Sequence, residues 1–77
     1  MNIPTLKPVE SSQITAIGYD PEARRLFILF KNGAATYAYE NVSEVQYENL
    51  MNAESVGSYF SRTIKTNPGA HPYKKIA

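Results

Sequence analysis

Tyrosine is the residue this chain offers most freely for chemistry at a surface: there are six in 77 residues. A tyrosine ring gives broad contact area at small entropic cost, and it stacks on exposed bases where nearby cations hold the phosphates. Tyr37, Tyr39, Tyr47 and Tyr59 fall at positions that read as core. Tyr73 stands apart, next to Lys74 and Lys75. With Arg62 and Lys65 it forms the expected recognition set. The charge pattern points the same way. Residues 40–54 carry Glu40, Glu44, Glu48 and Glu54 with no base, whereas residues 55–77 carry Arg62, Lys65, Lys74 and Lys75 with no acid. Such asymmetry suits a face for an acidic partner. The net charge of only +1 is smaller than a strong nucleic-acid binder usually shows.

The residues of catalysis do not converge in the sequence. His71 is the single histidine, flanked by Ala70 and Pro72, with no nucleophile elbow nearby. It reads as plain surface. Ser11, Ser12, Ser43, Ser55, Ser58 and Ser61 have no other base to activate them. Glu44 and Glu48 lie one helical turn apart and read as a solvated face. There is no phosphate-cradling glycine loop. With no cysteine and one histidine, no disulfide, catalytic thiol or familiar metal-ligand spacing is available. The expectation is a non-enzymatic protein with no cofactor, no metal and no small-molecule substrate. No apolar run approaches the roughly 20 residues of a membrane helix, and the N-terminus lacks a signal-peptide layout, so a cytoplasmic location is expected.

The elements that must position these residues are legible in part. Residues 1–8 hold two prolines and read as an extended arm, residues 9–66 as the domain, and residues 67–77 as a basic tail. Residues 12–19 suit a first strand, with Gly18 marking a bulge or a close backbone approach. Asp20-Pro21 opens a type I turn. Residues 25–31 give the strongest strand signal. Asn32-Gly33 then predicts a two-residue type I′ turn, and residues 34–40 return. That register places Leu26 opposite Tyr39 and Ile28 opposite Tyr37. Leu26, Ile28, Phe30, Tyr37 and Tyr39 then share the core face. Phe27, Leu29, Thr36 and Ala38 share the other. Phe27 and Leu29 either pack beneath a terminal arm or form a partner surface.

Ser43 and Gln46 match a capping box, with Val42 and Tyr47 placed for a hydrophobic staple. Tyr47, Leu50 and Met51 form the apolar stripe of this first helix. Ser55 caps a second, whose Val56, Tyr59, Phe60, Thr63 and Ile64 keep helical spacing. Gly57 reads as a close packing point against the hairpin or the first helix. Asn67-Pro68-Gly69 ends the helix. The expected fold is α+β, a three-stranded antiparallel meander followed by two short helices packed on one face.

Taken together, Val9, Ser11-Ser12, Ile17-Gly18-Tyr19-Asp20, Leu26 to Phe30, Gly33, Tyr37-Ala38-Tyr39, Val42, Tyr47, Leu50, Ala53 to Phe60 and Ile64 resemble the KTSC domain family. That family is named for a C-terminal extension of some lysyl-tRNA synthetases. The resemblance spans about residues 9–65. Tyr-x-Tyr combined with Ala-x-Ser-x-Gly-x-Tyr-Phe carries most of its specificity. Ser43 stands where the family often has proline; both suit a helix start. The resemblance implies a small module, free-standing in bacteria and phages or appended to a synthetase. It brings no catalytic residues, and the synthetase context implies RNA association. Two functions follow as expectations. The first is an RNA-associated binding module using Arg62, Lys65, Tyr73, Lys74 and Lys75. The alternative is a phage-type regulator that uses Phe27 and Leu29 to bind a host protein and control transcription, RNA polymerase being the first candidate.

Overall fold

The computed structural model describes residues 3–77. The chain is α+β, as the pattern predicts, but its sheet has five strands rather than three: β1 (Lys7–Pro8), β2 (Ile14–Asp20), β3 (Arg25–Phe30), β4 (Thr36–Tyr39) and β5 (Tyr73–Lys75). All neighbours are antiparallel and the order is sequential. The two extra strands come from the segments expected to be arm and tail. Neither carries a strand signature, because two or three residues are too few for alternation to register. Both are held by pairing with strands that the apolar pattern does specify. Of the arm, residues 1 and 2 lie outside the described residues.

The β3–β4 register is the expected one, with Leu26 opposite Tyr39 and Ile28 opposite Tyr37. The turn is different. Phe30 N–H donates to the Ala35 carbonyl at 2.9 Å, closing a four-residue loop with a 3₁₀ turn at Asn32–Ala34. A type I′ turn needs positive φ at both Asn32 and Gly33. Here the positive angles fall on Gly33 (78°) and Ala34 (51°). Lengthening the loop by one residue on each side leaves the pairing unchanged, so the register survives the wrong turn type.

β2 carries a bulge. Ile14 is opposite Phe30 and Ala16 opposite Leu29, leaving Thr15 as an extra residue. In a regular strand Ile14 and Ile17 would face opposite sides. The bulge turns both into the core, where each is fully buried.

The helices behave as their caps predict. Ser43 Oγ accepts from Gln46 N–H at 3.1 Å, and Gln46 Oε1 accepts from Ser43 N–H at 2.9 Å, opening α1 (Glu44–Met51). Ser55 Oγ accepts from Ser58 N–H at 3.3 Å, opening α2 (Val56–Phe60). The chain then widens into a π turn, Ser61–Lys65, where Thr63 Oγ1 donates back to the Tyr59 carbonyl at 2.7 Å. Leu50, Val56, Phe60 and Ile64 join Leu26, Ile28 and Tyr39 in one core on this side of the sheet. Gly57 packs closely, but against neither expected neighbour. A Cβ there would lie 2.8 Å from Ser11 Oγ, in the β1–β2 connection.

The opposite face is closed by the chain's own beginning. A Cβ on Gly18 would lie 2.5 Å from Leu6 Cδ2 and 3.3 Å from Pro4 Cγ, so the arm lies on the strand where glycine leaves room. Phe27, opposite Gly18 in the ladder, is fully buried, and Leu29 is half-buried. Among the described residues no helix is long and apolar enough to cross a membrane.

Candidate functional site

The helical layer does not cover all of its sheet face. Exposure rises along β4, from Tyr39 at 4% to half-buried Tyr37, and across to β5, where Tyr73 is 57% exposed. The ladder explains the grouping: Tyr73 is opposite Tyr39 and Lys75 opposite Tyr37, and paired residues of an antiparallel sheet share a face. The result is an open groove of about 770 Å³. Its aromatic floor is Phe30, Tyr37, Tyr39 and Tyr73, and its lining includes Lys31 and Lys65.

The rings form a continuous series. Phe30 and Tyr37 meet edge to face with centroids 5.6 Å apart; Tyr37 and Tyr73 are 6.0 Å apart, and Tyr39 and Tyr73 5.6 Å. Behind them Phe60 packs on Tyr39 at 5.0 Å and on Phe30 at 5.9 Å, so the floor rests on the core. Burial, and then the neighbouring Tyr73 and Tyr37 phenols, push the Tyr39 phenol up to about 12. Among the described residues no carboxylate lines the groove. Gln13, Ser12 and Asn32 add uncharged polar groups at the hairpin end.

The expected recognition residues divide over this frame. Tyr73 and Lys65 line the groove, and Lys75 shares its face. Lys74 is opposite Ala38 and so belongs to the other face of the sheet. The Arg62 guanidinium lies 6.0 Å from the Tyr59 ring centroid on the helical side. Phe27 is fully buried and offers no surface to a partner, because the N-terminal arm closes over that face. Leu29 is half-buried on the same side. Phe30, Tyr37 and Lys31 were not among the expected site residues. The signal available for them was the Tyr37-x-Tyr39 spacing, which places both rings on one strand face; that the face runs out from under the helices is not written in β4 itself.

His71 also departs from the expectation of plain surface: it is 5% exposed. Its Nδ1 lies 3.1 Å from the Glu40 carbonyl oxygen and its Nε2 3.2 Å from Gln46 Nε2. Nearby, Arg25 Nε donates to the Glu40 carboxylate at 2.7 Å, an ion pair that raises the guanidinium's affinity for its proton. On the far side of α1 a small notch is formed by Tyr19, Pro21, Glu44, Tyr47 and Glu48. Its two tyrosines stack on each other at 4.7 Å, and Tyr19 Oη donates to the Val42 carbonyl at 2.5 Å. Burial first, and then Glu44, raise the Tyr19 phenol. Tyr19 is engaged with Tyr47 and with the Val42 carbonyl, which reads as packing rather than as a site.

The family model described as the KTSC domain matches residues 10–67, most of the chain. The chain belongs to the KTSC domain family. A KTSC domain protein of Yersinia pestis, known from its crystal structure, is 41% identical and superposes with a TM-score of 0.85, covering 95% of this chain and 97% of that one. A protein of Tsukamurella paurometabola is 42% identical over 60 residues, which span 78% of this chain and 88% of the relative. An uncharacterized protein of Stutzerimonas stutzeri is 37% identical over 68 residues, 88% of this chain and 92% of its own length. The KTSC match ends before β5, so it takes in Phe30, Tyr37, Tyr39 and Lys65 but not Tyr73 or Lys75.

Proposed function

We propose that this KTSC domain is a non-enzymatic binding module for short single-stranded RNA, acting in the cytoplasm. The observation that carries the reading is the groove: adjacent aromatic rings on a sheet face, with Lys31, Lys65 and Lys75 around them. Rings on neighbouring strands are a physical platform for unpaired bases, and lysines beside them neutralise the phosphates between bases. The groove's volume falls within the ~300–1,000 Å³ of small-ligand sites, so it takes one or two nucleotides rather than a duplex.

The test is an NMR titration of labelled protein with a six-nucleotide oligouridylate at low and moderate salt. Salt-sensitive shifts are expected at Lys31, Lys65, Tyr73 and Lys75. Tyr73→Ala should weaken binding by about 1–3 kcal/mol, the range for losing one stacked base. Absence of shifts at millimolar RNA would reject the reading. The transcription-regulator alternative takes Phe27 and Leu29 as its docking patch, beside the low net charge, the Glu-rich first helix and the arm at 1–10. With Phe27 buried beneath the arm it has less support, and a nuclease-treated polymerase pull-down that succeeds where the RNA titration fails would restore it.

A further inference from the structure

The histidine that pins β5 has both ring nitrogens committed, and its partners dictate the state of each. A carbonyl oxygen only accepts, so the contact at 3.1 Å requires His71 Nδ1–H donating to the Glu40 carbonyl. In the neutral ring Nε2 is then an acceptor. Gln46 must present its amide N–H₂ there, at 3.2 Å. That orientation is enforced independently, because Gln46 Oε1 is already accepting from Ser43 N–H in the capping box. One chain of bonds therefore runs from the cap of α1, through Gln46 and His71, to the end of β4.

The same stretch delivers β5. Glu40 N–H donates to the Pro72 carbonyl at 2.8 Å, and Asn41 Nδ2 to the Ala70 carbonyl at 3.4 Å. Tyr73, one residue beyond Pro72, enters the groove from there.

We propose that neutral His71 is the positioning residue of the groove, and that its protonation loosens β5 and withdraws Tyr73 from the aromatic floor. A proton on Nε2 sets two donors against each other at the Gln46 contact. Turning the Gln46 amide over would restore an acceptor to the ring but strip one from Ser43 N–H and break the cap. The groups facing the ring from β4 and α1 are an uncharged carbonyl and an uncharged amide. The Glu40 carboxylate is turned to Arg25 on β3 and is engaged there. Acid therefore forces a choice between the cap of α1 and the anchor of β5. The consequence at the groove rests on the RNA-binding reading; the latch itself does not.

The experiment uses the full chain without ligand first. Imidazole ¹⁵N spectra at pH 7.5 should show Nδ1 protonated and Nε2 bare. Across an acid titration from pH 7.5 to 5.0, the amides of Ser43, Gln46 and Tyr73–Lys75 should follow the ring with one shared midpoint, with exchange protection of β5 falling; a ring that takes up no proton above pH 5.0 would overturn the proposal. His71→Asn retains a donor for the Glu40 carbonyl and cannot titrate; its β5 amides should not respond across this range. An Nε2–H tautomer, or β5 amides indifferent to ring protonation in the wild-type chain, would overturn the proposal. With oligouridylate, whose bases do not titrate in this range, affinity should fall about tenfold at pH 5.0 in the wild-type chain and stay level in His71→Asn, a loss within the range for one stacked base. If no RNA binds, the ligand-free spectra still decide the latch, so the two failures are distinguishable.

Discussion

β1 and β5 border the same sheet and are nearly the same length, two residues against three, yet they do opposite things. β1 follows Pro4 and Leu6, whose side chains cover Gly18 and close the face that buries Phe27. Pro8 in β1 has no N–H to offer a further strand, which blunts that edge. β5 buries none of its three residues; it brings an exposed tyrosine and a lysine to the groove side and a lysine to the back. One edge is spent on the interior, the other on the surface. A short edge strand thus takes its role from what flanks it and from the face it extends, rather than from its own hydrogen bonds.

The contrast can be broken from either side. The largest effect is expected at Phe27→Ala, which empties the space under the arm and should cost about 3–5 kcal/mol of stability in a denaturant melt, with groove amide shifts unchanged. On the β5 side, Tyr39 ties stability to alkaline pH. An unfolded tyrosine releases its proton near 10, whereas this one holds it to about 12. Between those values the unfolded chain binds fewer protons, so stability falls as pH rises, by at most about 2–3 kcal/mol, and this contribution levels off beyond the window. Tyr39→Phe should remove that slope, measured as the difference between the two proteins' melts at pH 9 and 12. Leu6→Ala should cost less, about 1–2 kcal/mol, because the residue is half-buried rather than core, and it should leave RNA affinity alone. The smallest effect separates the two lysines of β5: Lys75→Ala should lower the salt slope of RNA binding by about 1, and Lys74→Ala should leave it unchanged. Equal slopes for the two would mean that the sheet faces do not divide the site.

Much of the central fold is legible from residue pattern alone. The five-residue apolar run at 26–30 and the return read over 34–40, which forms a strand at Thr36–Tyr39, define β3 and β4 with the correct register, and Ser43 and Ser55 mark both helix starts. What the pattern misses is non-local. Lys7–Pro8 and Tyr73–Lys75 become strands only because β2 and β4 have unpaired edges to offer. The Thr15 bulge follows from packing Ile14 and Ile17 together, and His71 is buried by a carbonyl and an amide that are distant in sequence. For the site, Tyr73 and Lys65 can be singled out from aromatic and basic residue types. Phe30 and Tyr37 read as core, and they are half-buried in fact. Phe27 reads as either covered or free, and the arm that decides between the two has no strong signal of its own.

The order of the strands has a kinetic consequence. β1, β2 and β3 each pair with the next strand in the chain, through short loops that close quickly. β5 joins β4 only after the chain has travelled through both helices, so its contact carries the largest loop-closure entropy in the sheet. It is expected to form last and to open first in native-state exchange. The groove would then be the final part of the molecule to be assembled, and a bound nucleotide would act as a clasp on the chain's slowest fold.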